Sequence, residues 1–398
     1  MKLTEKGVCC PGFRAGGSRE GSYGVALVLS EDKANCSLMV TSNRVKAAPL
    51  TVSKEHFENG DIRAIVASSG NANAYTGEVG IRDAQRMCEL AATKLGLKPA
   101  SLLTASTGII GRRLDMDAIA QGIVAVDLNS TKEASLAAAR ALMTTDKSPK
   151  MVSVKTKLST GEEVEIGGIA KGAGMIAPDL KHATMLCFVT TNAAIPGDRI
   201  DEVFGEAVKQ SFNMTVIDGD TSTNDMAILL ANGRAGNREI DENFQEALNF
   251  VTRELARLMA KDGEGATKFL EIEVRNAGRK EDAVKAAKAI ASSNLVKTAF
   301  FGEDPNWGRI IAAIGYSGAD FDPEEISLHF ESENGRINLI DKGKATAGGE
   351  IELKKAKDIM KAKEIKVVVD LHSGMETATA YGCDLSPEYV RINAEYST

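Results

Sequence analysis

The sequence predicts a mixed α/β or α+β protein in which helices cover β-sheets. Short apolar runs rich in Val, Leu and Ile alternate with segments whose apolar residues recur at helical spacing. The chain has 398 residues, of which 43% are hydrophobic and 26% charged, as is ordinary for a folded protein of two or three domains. These proportions exclude a disordered, collagen-like or coiled-coil protein.

Each element follows from its local pattern. Residues 25–29 form a continuous apolar run, which is typical of a buried strand, whereas Ile81, Ala84 and Cys88 recur on one face of a helix. The same reasoning predicts strands at 25–29, 37–40, 62–66, 101–107, 185–191, 268–274 and 365–370. It predicts helices at 81–95, 114–124, 132–143, 198–212, 240–261 and 280–293. A turn is expected at 108–111, and a glycine cluster at 161–174 is expected to break the chain near its middle.

The charge balance and the apolar runs limit the partners. The chain carries 48 Lys and Arg against 55 Asp and Glu, so its net charge of −7 predicts no nucleic-acid or anionic-membrane partner. No apolar stretch reaches the roughly 18 to 20 residues that a membrane span needs, and residues 1–17 lack a signal-peptide core. We therefore expect a cytoplasmic protein.

Cysteine and histidine usage indicates neither disulfides nor a metal. The six cysteines form no CxxC pair, which predicts reduced thiols. The four histidines are too far apart in sequence for a local ligand motif such as HExxH, and no metal site is predicted.

The glycine-rich segment 167–184 permits more than one interpretation. The spacing Gly172-x-Gly174-x-x-Ala177 matches a dinucleotide-binding loop loosely. However, Pro178 would interrupt the helix that must follow, and no acidic residue lies about 20 positions further on. No P-loop pattern occurs. A tight turn that uses glycine for backbone freedom accounts for the same residues.

A third interpretation concerns Ala183 and Thr184, which lie where this segment meets the predicted strand 185–191. If the peptide bond between them were cut, Thr184 would begin a new chain, with its α-amino group beside its own hydroxyl. An α-amine titrates at about 7.7 to 8.0, so it can act as a general base at neutral pH. Such a threonine nucleophile needs no histidine. A purely structural threonine at the start of a strand is the alternative.

The segment from Lys171 to Leu186 resembles the self-processing signature of the ornithine acetyltransferase family, also called glutamate N-acetyltransferase, of arginine biosynthesis. Eight further blocks resemble the family and follow its order from residue 42 to the C-terminus. They are SNRVKAAP at 42–49, SGNANA at 69–74, STGIIG at 106–111, MTTD at 143–146, DGDTSTND at 218–225, DGEGATK at 262–268, DPNWGR at 304–309 and YVRINAEY at 389–396.

This resemblance implies a two-lobed αββα sandwich related to certain self-processing aminopeptidases. It implies self-cleavage into an α chain, 1–183, and a β chain, 184–398, which associate as an α2β2 heterotetramer. Thr184 would take the acetyl group from N-acetylornithine and pass it to glutamate without any cofactor. Acetyl-coenzyme A as an alternative donor, which would add N-acetylglutamate synthase activity, is left open by the sequence.

The resemblance also implies roles for single residues. Thr107 and Gly108 match the oxyanion hole, and Thr184 matches the nucleophile. The substrate-binding positions that match are Thr144, Lys171, Thr184, Glu264, Asn393 and Thr398. The chain departs from the family pattern at Lys181 and His182, which are inserted before Ala183.

Two rival functions remain at this point. An N-terminal-threonine aminopeptidase or amidase of the same fold would keep the nucleophile but pass the acyl group to water. A non-catalytic metabolite-binding or NAD(P)-binding protein would not be cleaved at all.

Overall fold

The computed structural model describes residues 1–177, 185–346 and 349–395. The chain divides into two compact units, the first comprising 1–213 and 220–255 and the second 214–219 and 256–398. The inserted Lys181 and His182, the predicted cleavage site at Ala183 and Thr184, and Thr398 lie outside the described residues. The division into an α chain and a β chain at this site stays a prediction.

The strands alternate with the helices along the chain. They are β1 (Lys2–Thr4), β2 (Phe13–Glu20), β3 (Tyr23–Ser30), β4 (Asn35–Val40), β5 (Ala64–Asn71), β6 (Leu102–Ile109), β7 (Lys150–Lys157), β8 (Glu163–Lys171), β9 (Leu186–Thr191), β10 (Thr215–Val216), β11 (Met226–Ala231), β12 (Phe269–Ala277), β13 (Ser327–Ser332), β14 (Gly335–Asp341), β15 (Lys344–Ala345), β16 (Glu364–Asp370) and β17 (Glu376–Cys383).

The helices are α1 (Ala48–Asn59), α2 (Gly77–Leu95), α3 (Met116–Ala125), α4 (Lys132–Leu142), α5 (Ile200–Lys209), α6 (Glu242–Lys261), α7 (Lys280–Ser292), α8 (Asn294–Phe301), α9 (Trp307–Tyr316), α10 (Glu350–Met360) and α11 (Pro387–Glu395). Side chains cap the N-termini of α3, α4 and α8. For example, the Asp115 side chain accepts from the Ala118 N–H before α3, and Gly96 ends α2 in the left-handed region.

The first unit has four layers. Its six-stranded sheet has the order β1-β7-β8-β9-β11-β4, and its four-stranded sheet has the order β2-β3-β5-β6. The inner faces of the two sheets share one apolar core, into which α4 packs against β2, β3 and β8. Helices α2 and α3 cover the outer face of the four-stranded sheet, α1 packs on its edge strand β6, and α5 and α6 pack on the six-stranded sheet. This helix–sheet–sheet–helix order confirms the predicted αββα sandwich for the first unit.

Alternating residues of the four-stranded sheet explain this layering. On β3, Ala26 and Val28 face the core between the sheets, whereas Val25 and Leu27 face the helices. Successive side chains of a strand point to opposite faces, so a strand buried on both sides is apolar throughout. The continuous apolar run in the sequence was therefore a correct signal of a buried strand.

The glycine-rich segment is largely a strand, so the expected break at 161–174 was wrong. β8 runs through Gly167 and Gly168 in the middle of the six-stranded sheet. A Cβ at Gly167 would overlap the backbone carbonyl of Gly7, and one at Gly168 would lie 2.9 Å from Leu255 of α6. These two glycines allow close packing on the two faces of the sheet.

The second unit is built on a seven-stranded sheet with the order β10-β17-β12-β16-β13-β14-β15. Helix α7 packs its small apolar face on β17 and β12, and α10 packs on β14 and β13. Each of the two units combines β-strands with α-helices, which confirms the predicted mixed α and β structure.

Most predicted elements are confirmed, with their ends moved by a few residues. The largest shift concerns the strand predicted at 62–66, which is β5 at Ala64–Asn71 and continues through two serines. The strand predicted at 101–107 is β6, which includes Gly108 and Ile109, so the turn predicted at 108–111 begins later. The patterns did not predict β1, β2, β7, β8, β10, β11, β13, β14, β15, β17, α1, α8, α9, α10 or α11.

Candidate active site

Lys171 contacts two other predicted site residues in the first unit. It is the last residue of β8 and is only 7% exposed. Its ammonium donates to the hydroxyl of Thr107 at 3.1 Å and to the hydroxyl of Thr144 at 2.9 Å. In the sheet, Lys171 pairs with Leu186, the first residue of β9. The three side chains therefore meet beside the start of β9.

Thr107 and Gly108 lie at the end of β6, beside the end of β5. Gly108 pairs with Gly70, and both have positive φ angles, +127° and +115°. A Cβ at Gly108 would overlap the carbonyl oxygen of Gly70. Only glycine therefore fits this position without a backbone shift, because the close approach and the backbone conformation both exclude a side chain.

A buried carboxylate that sequence reasoning did not assign holds the backbone around these side chains. Asp146 Oδ1 accepts from the Gly172 N–H at 2.7 Å and from Lys150 Nζ at 2.6 Å. Its Oδ2 accepts from the Thr144 N–H at 3.1 Å. Asp146 thus contacts the backbone next to Lys171 and the backbone of Thr144 itself.

Asp146 is ionised in this environment. Burial by itself would raise the pKa of its carboxyl, but the charges of Lys171 and Lys150 and the hydrogen bonds outweigh burial and lower the pKa to about 2. The side chains of Lys150 and Asp146 are 1% and 0% exposed, so the two form a fully buried ion pair. The signal in the sequence was the Asp that ends the MTTD block, followed four residues later by a lysine.

A second buried carboxyl, Asp225, lies immediately before β11. The Met226 N–H donates to the Met185 carbonyl at 2.7 Å, which places Asp225 next to the start of β9. Burial raises the pKa of Asp225 well above its ordinary value, against the opposing effects of a Thr41 hydrogen bond and the Lys171 charge. Its Oδ2 has no hydrogen-bond partner among the described residues. Burial therefore favours the protonated form of this carboxyl.

Two predicted residues meet in the second unit. Glu264 lies in the turn after α6 and is 7% exposed, and its Oε2 accepts from Asn393 Nδ2 at 2.7 Å. The same Nδ2 donates to the Tyr389 carbonyl within α11 at 3.0 Å. The hydrogen bond ties α11 to the turn that carries the carboxylate.

Of the predicted site residues, the structure brings Lys171, Thr107 and Thr144 together, and it brings Glu264 and Asn393 together. Gly108 follows Thr107 in β6. Ala183, Thr184 and Thr398 lie outside the described residues, so the structure gives them no position.

Cysteine chemistry has no evident place in the molecule. All six cysteines are free. Burial raises the pKa of Cys10 and of Cys88 to about 12, so both remain thiols rather than nucleophilic thiolates.

In residues 1–177, 185–346 and 349–395, no three His, Cys, Asp or Glu side chains are grouped to hold a metal ion. None of the helices in the described part of the chain combines the length and hydropathy of a membrane span.

Comparison with known families decides the classification. The model of the ArgJ family matches residues 10–398 of the chain. The chain belongs to the ArgJ family. This membership confirms the resemblance inferred from the sequence motifs and, with it, an acetyltransferase of arginine biosynthesis.

Relatives of the ArgJ chain match over nearly its whole length. The glutamate N-acetyltransferase of Methanothermobacter thermautotrophicus is 50% identical over 402 residues, covering 100% of this chain and 99% of the relative. The arginine biosynthesis bifunctional protein ArgJ of Caldanaerobacter subterraneus subsp. tengcongensis is 46% identical over 99% of this chain and 97% of its own. A solved ArgJ chain from Bacillus halodurans is 40% identical, with a TM-score of 0.49, over 52% of this chain and 97% of that one.

Proposed function

We propose that this ArgJ protein cleaves itself between Ala183 and Thr184 and transfers acetyl groups from N-acetylornithine to glutamate through an acetyl-Thr184 enzyme. The observation that carries the proposal is the Lys171 ammonium, which donates to both Thr107 and Thr144. Lys171 pairs with Leu186, and Leu186 follows Thr184 by only two residues in the chain. The relatives named as glutamate N-acetyltransferases support the choice of acceptor.

The proposed reaction has two halves with one covalent intermediate. In the first, Thr184 Oγ1 attacks the acetyl carbonyl of N-acetylornithine, and its proton passes to the α-amine of Thr184. The C–N bond then breaks, and the departing ornithine amine takes up that proton. In the second, the glutamate α-amine attacks the acetyl ester and loses a proton to the α-amine of Thr184. The C–O bond then breaks, and the departing Thr184 Oγ1 takes up that proton. The ester divides one difficult amide exchange into two easier steps.

Both halves pass through a tetrahedral oxyanion, which Thr107 and Gly108 are proposed to stabilise. An ammonium group only donates hydrogen bonds, so each hydroxyl bound to Lys171 accepts from it and keeps its own proton for another partner. The Thr107 O–H is thereby available to an oxyanion, and its bond to a cation polarises it. One donor of this kind contributes roughly 2.7 to 4 kcal/mol to the transition state.

Thr144, with its hydroxyl held in the same way by Lys171, is proposed to bind substrate. The Lys171 charge suits a substrate carboxylate or the anionic intermediate. In the second unit, the Glu264 carboxylate suits the substrate's amino group, with Asn393 fixing its orientation. Asn393 and Thr398 are proposed to bind the amino-acid backbone of the substrate.

Further expectations concern the donor and the assembly. The reaction recycles the acetyl group, so no cofactor is needed. Acetyl-coenzyme A is a candidate second donor, because one relative is named as a bifunctional protein. We expect the cleaved chains to form a cytoplasmic α2β2 heterotetramer.

The deciding experiment combines N-terminal sequencing with an acetyl-transfer assay. The purified enzyme should yield Thr-Met-Leu in addition to its original N-terminus, and labelled N-acetylornithine should lose its acetyl group only to glutamate. Thr184→Ala should remain one uncut band without transfer. Acetyl loss that does not require glutamate would instead indicate an amidase, and a cut Thr184→Ala chain would refute the proposed nucleophile.

A further inference from the structure

We propose that Asn224 is a positioning residue that fixes Thr107 and Gly108 relative to the start of β9. It belongs to the DGDTSTND segment, 218–225, whose role in the reaction was not apparent from the sequence. The inference rests on the proposed function, because it assigns Asn224 a part in placing the oxyanion hole.

The Asn224 amide bonds directly to the two strand ends that carry the oxyanion hole. Its Nδ2 donates to the Ser106 carbonyl at 2.8 Å and to the Ala72 carbonyl at 2.5 Å. Ser106 immediately precedes Thr107 in β6, and Ala72 immediately follows β5. One side chain therefore holds the ends of both strands, including the paired Gly70 and Gly108.

The amide itself is fixed in orientation. Its Oδ1 accepts from the Thr223 hydroxyl at 2.6 Å, and Asn224 is only 6% exposed. Because two carbonyl oxygens lie on one side and a hydroxyl on the other, only the orientation with Nδ2 toward Ser106 satisfies every partner. Loss of either Nδ2 hydrogen bond would leave the buried carbonyl oxygen of Ser106 or of Ala72 without this donor.

The chain after Asn224 continues into β11, whose first residue is hydrogen-bonded to the residue that precedes β9. Thr41 donates its N–H to the Asp225 carbonyl at 3.1 Å, and Met226 donates to the Met185 carbonyl at 2.7 Å. Met226 pairs with Leu186 in the parallel β9–β11 ladder. Asn224 is thus a side chain that ties β11 and its neighbour β9 to the end of β6. A displacement of about 1 Å between reacting groups can lower the rate roughly 100-fold.

A matched control exists in the same unit. Asn237 is 5% exposed, and its Nδ2 also donates to two carbonyl oxygens, those of Ala194 and Glu239, each at 3.0 Å. These bonds join surface loops and do not involve β5 or β6. Loss of the Asn237 amide therefore shows how far the loss of such a buried amide lowers stability when the ends of β5 and β6 are not involved.

The test compares Asn224→Asp with Asn237→Asp in the full-length, purified enzyme. Both changes preserve shape and remove donors, so both should lower the melting temperature. Only Asn224→Asp should lower kcat, by about 10- to 100-fold, with KM for N-acetylornithine within about twofold of wild type. Its kcat relative to that of wild type at the same pH should rise as pH falls, because a protonated carboxyl can donate one of the lost bonds.

Thr223 supplies a second pair of variants in case Asn224→Asp does not fold. Thr223→Val removes the hydroxyl that orients the amide and should lower kcat several-fold, whereas Thr223→Ser should restore it. Wild-type kcat in a folded Asn224→Asp, or equal kcat losses in Asn224→Asp and Asn237→Asp, would overturn the inference alone. A wild-type enzyme that transfers no acetyl group would overturn the proposed function and this inference with it.

Discussion

The Asp146 carboxylate accepts a 2.7 Å hydrogen bond from the backbone N–H of Gly172, the residue that follows Lys171. The same carboxylate binds the Thr144 N–H and pairs with Lys150. A single buried charge therefore holds the backbone on both sides of the contact between Lys171 and Thr144.

Removing that charge should destabilise the first unit. Asp146→Asn leaves Lys150 buried without its anionic partner, which typically lowers the free energy of unfolding by about 3 to 5 kcal/mol. Urea unfolding followed by circular dichroism measures this loss. The double variant Asp146→Asn/Lys150→Met removes both charges and should recover part of the stability. An Asp146→Asn enzyme as stable as wild type would show that the pair contributes nothing.

Asp146 and Asp225 should give opposite pH dependences of stability. The pKa of Asp146 in the folded protein is lowered to about 2, so its contribution is complete above the ordinary value and is lost as pH falls toward 2. The pKa of Asp225 is raised by burial, so the folded protein keeps a proton that the unfolded chain releases. Stability due to Asp225 therefore declines as pH rises above the ordinary value of its carboxyl.

Asp225→Asn tests the decline in stability with rising pH that the Asp225 carboxyl contributes. The variant cannot release a proton, so its unfolding midpoint in urea should decline less than that of wild type between about pH 4 and pH 8. Parallel curves for the two proteins would contradict the raised pKa of the Asp225 carboxyl.

Thr107 and Thr144 should affect different kinetic constants, although both hydroxyls bind Lys171. Thr107→Val removes the proposed oxyanion donor and should lower kcat by about 100- to 1,000-fold. Thr144→Val removes a proposed substrate contact and should mainly raise KM for N-acetylornithine. Steady-state kinetics on the purified enzyme measures both constants, and a large kcat loss in Thr144→Val alone would reverse the two assignments.

Gly108→Ala should impair catalysis through the backbone. The added Cβ would overlap the Gly70 carbonyl, so the end of β6 must move. Gly111 also has a positive φ, +81°, but a Cβ there meets no atom within 4 Å. Gly111→Ala therefore carries the conformational strain alone, about 1 to 3 kcal/mol, without the overlap. Melting temperatures and kcat for the two variants separate these effects, and equal kcat values would show that the overlap has no catalytic consequence.

The sequence predicted correctly those elements whose residue pattern lies within one continuous segment. The apolar run 25–29 predicted β3, and the helical spacing of Ile81, Ala84 and Cys88 predicted α2. The family motifs singled out Lys171, Thr107 and Thr144, whose contacts span 64 and 27 positions in the chain.

Features that depend on contacts between distant segments could not be read from the sequence. Gly167 and Gly168 indicated a break because glycine is uncommon in strands, yet their role depends on Gly7 and Leu255 approaching the sheet. Asn224 acts through the carbonyl oxygens of Ala72 and Ser106. Every residue has a backbone carbonyl, so the sequence does not show which ones accept these bonds. Asp146 was visible in its motif with Lys150 four residues later, but its bond to the Gly172 N–H, 26 positions away, was not.

The antiparallel pairing of β8 with β9 has a consequence for the predicted scission. Residues 166–171 are hydrogen-bonded to residues 186–191, so the two strands that flank the proposed cleavage site are neighbours in one sheet. Hydrolysis would create two new chain ends, but the two fragments would stay hydrogen-bonded to each other in the sheet. The fragments should therefore copurify through every native chromatographic step. Separating them requires a denaturant strong enough to dismantle the sheet itself.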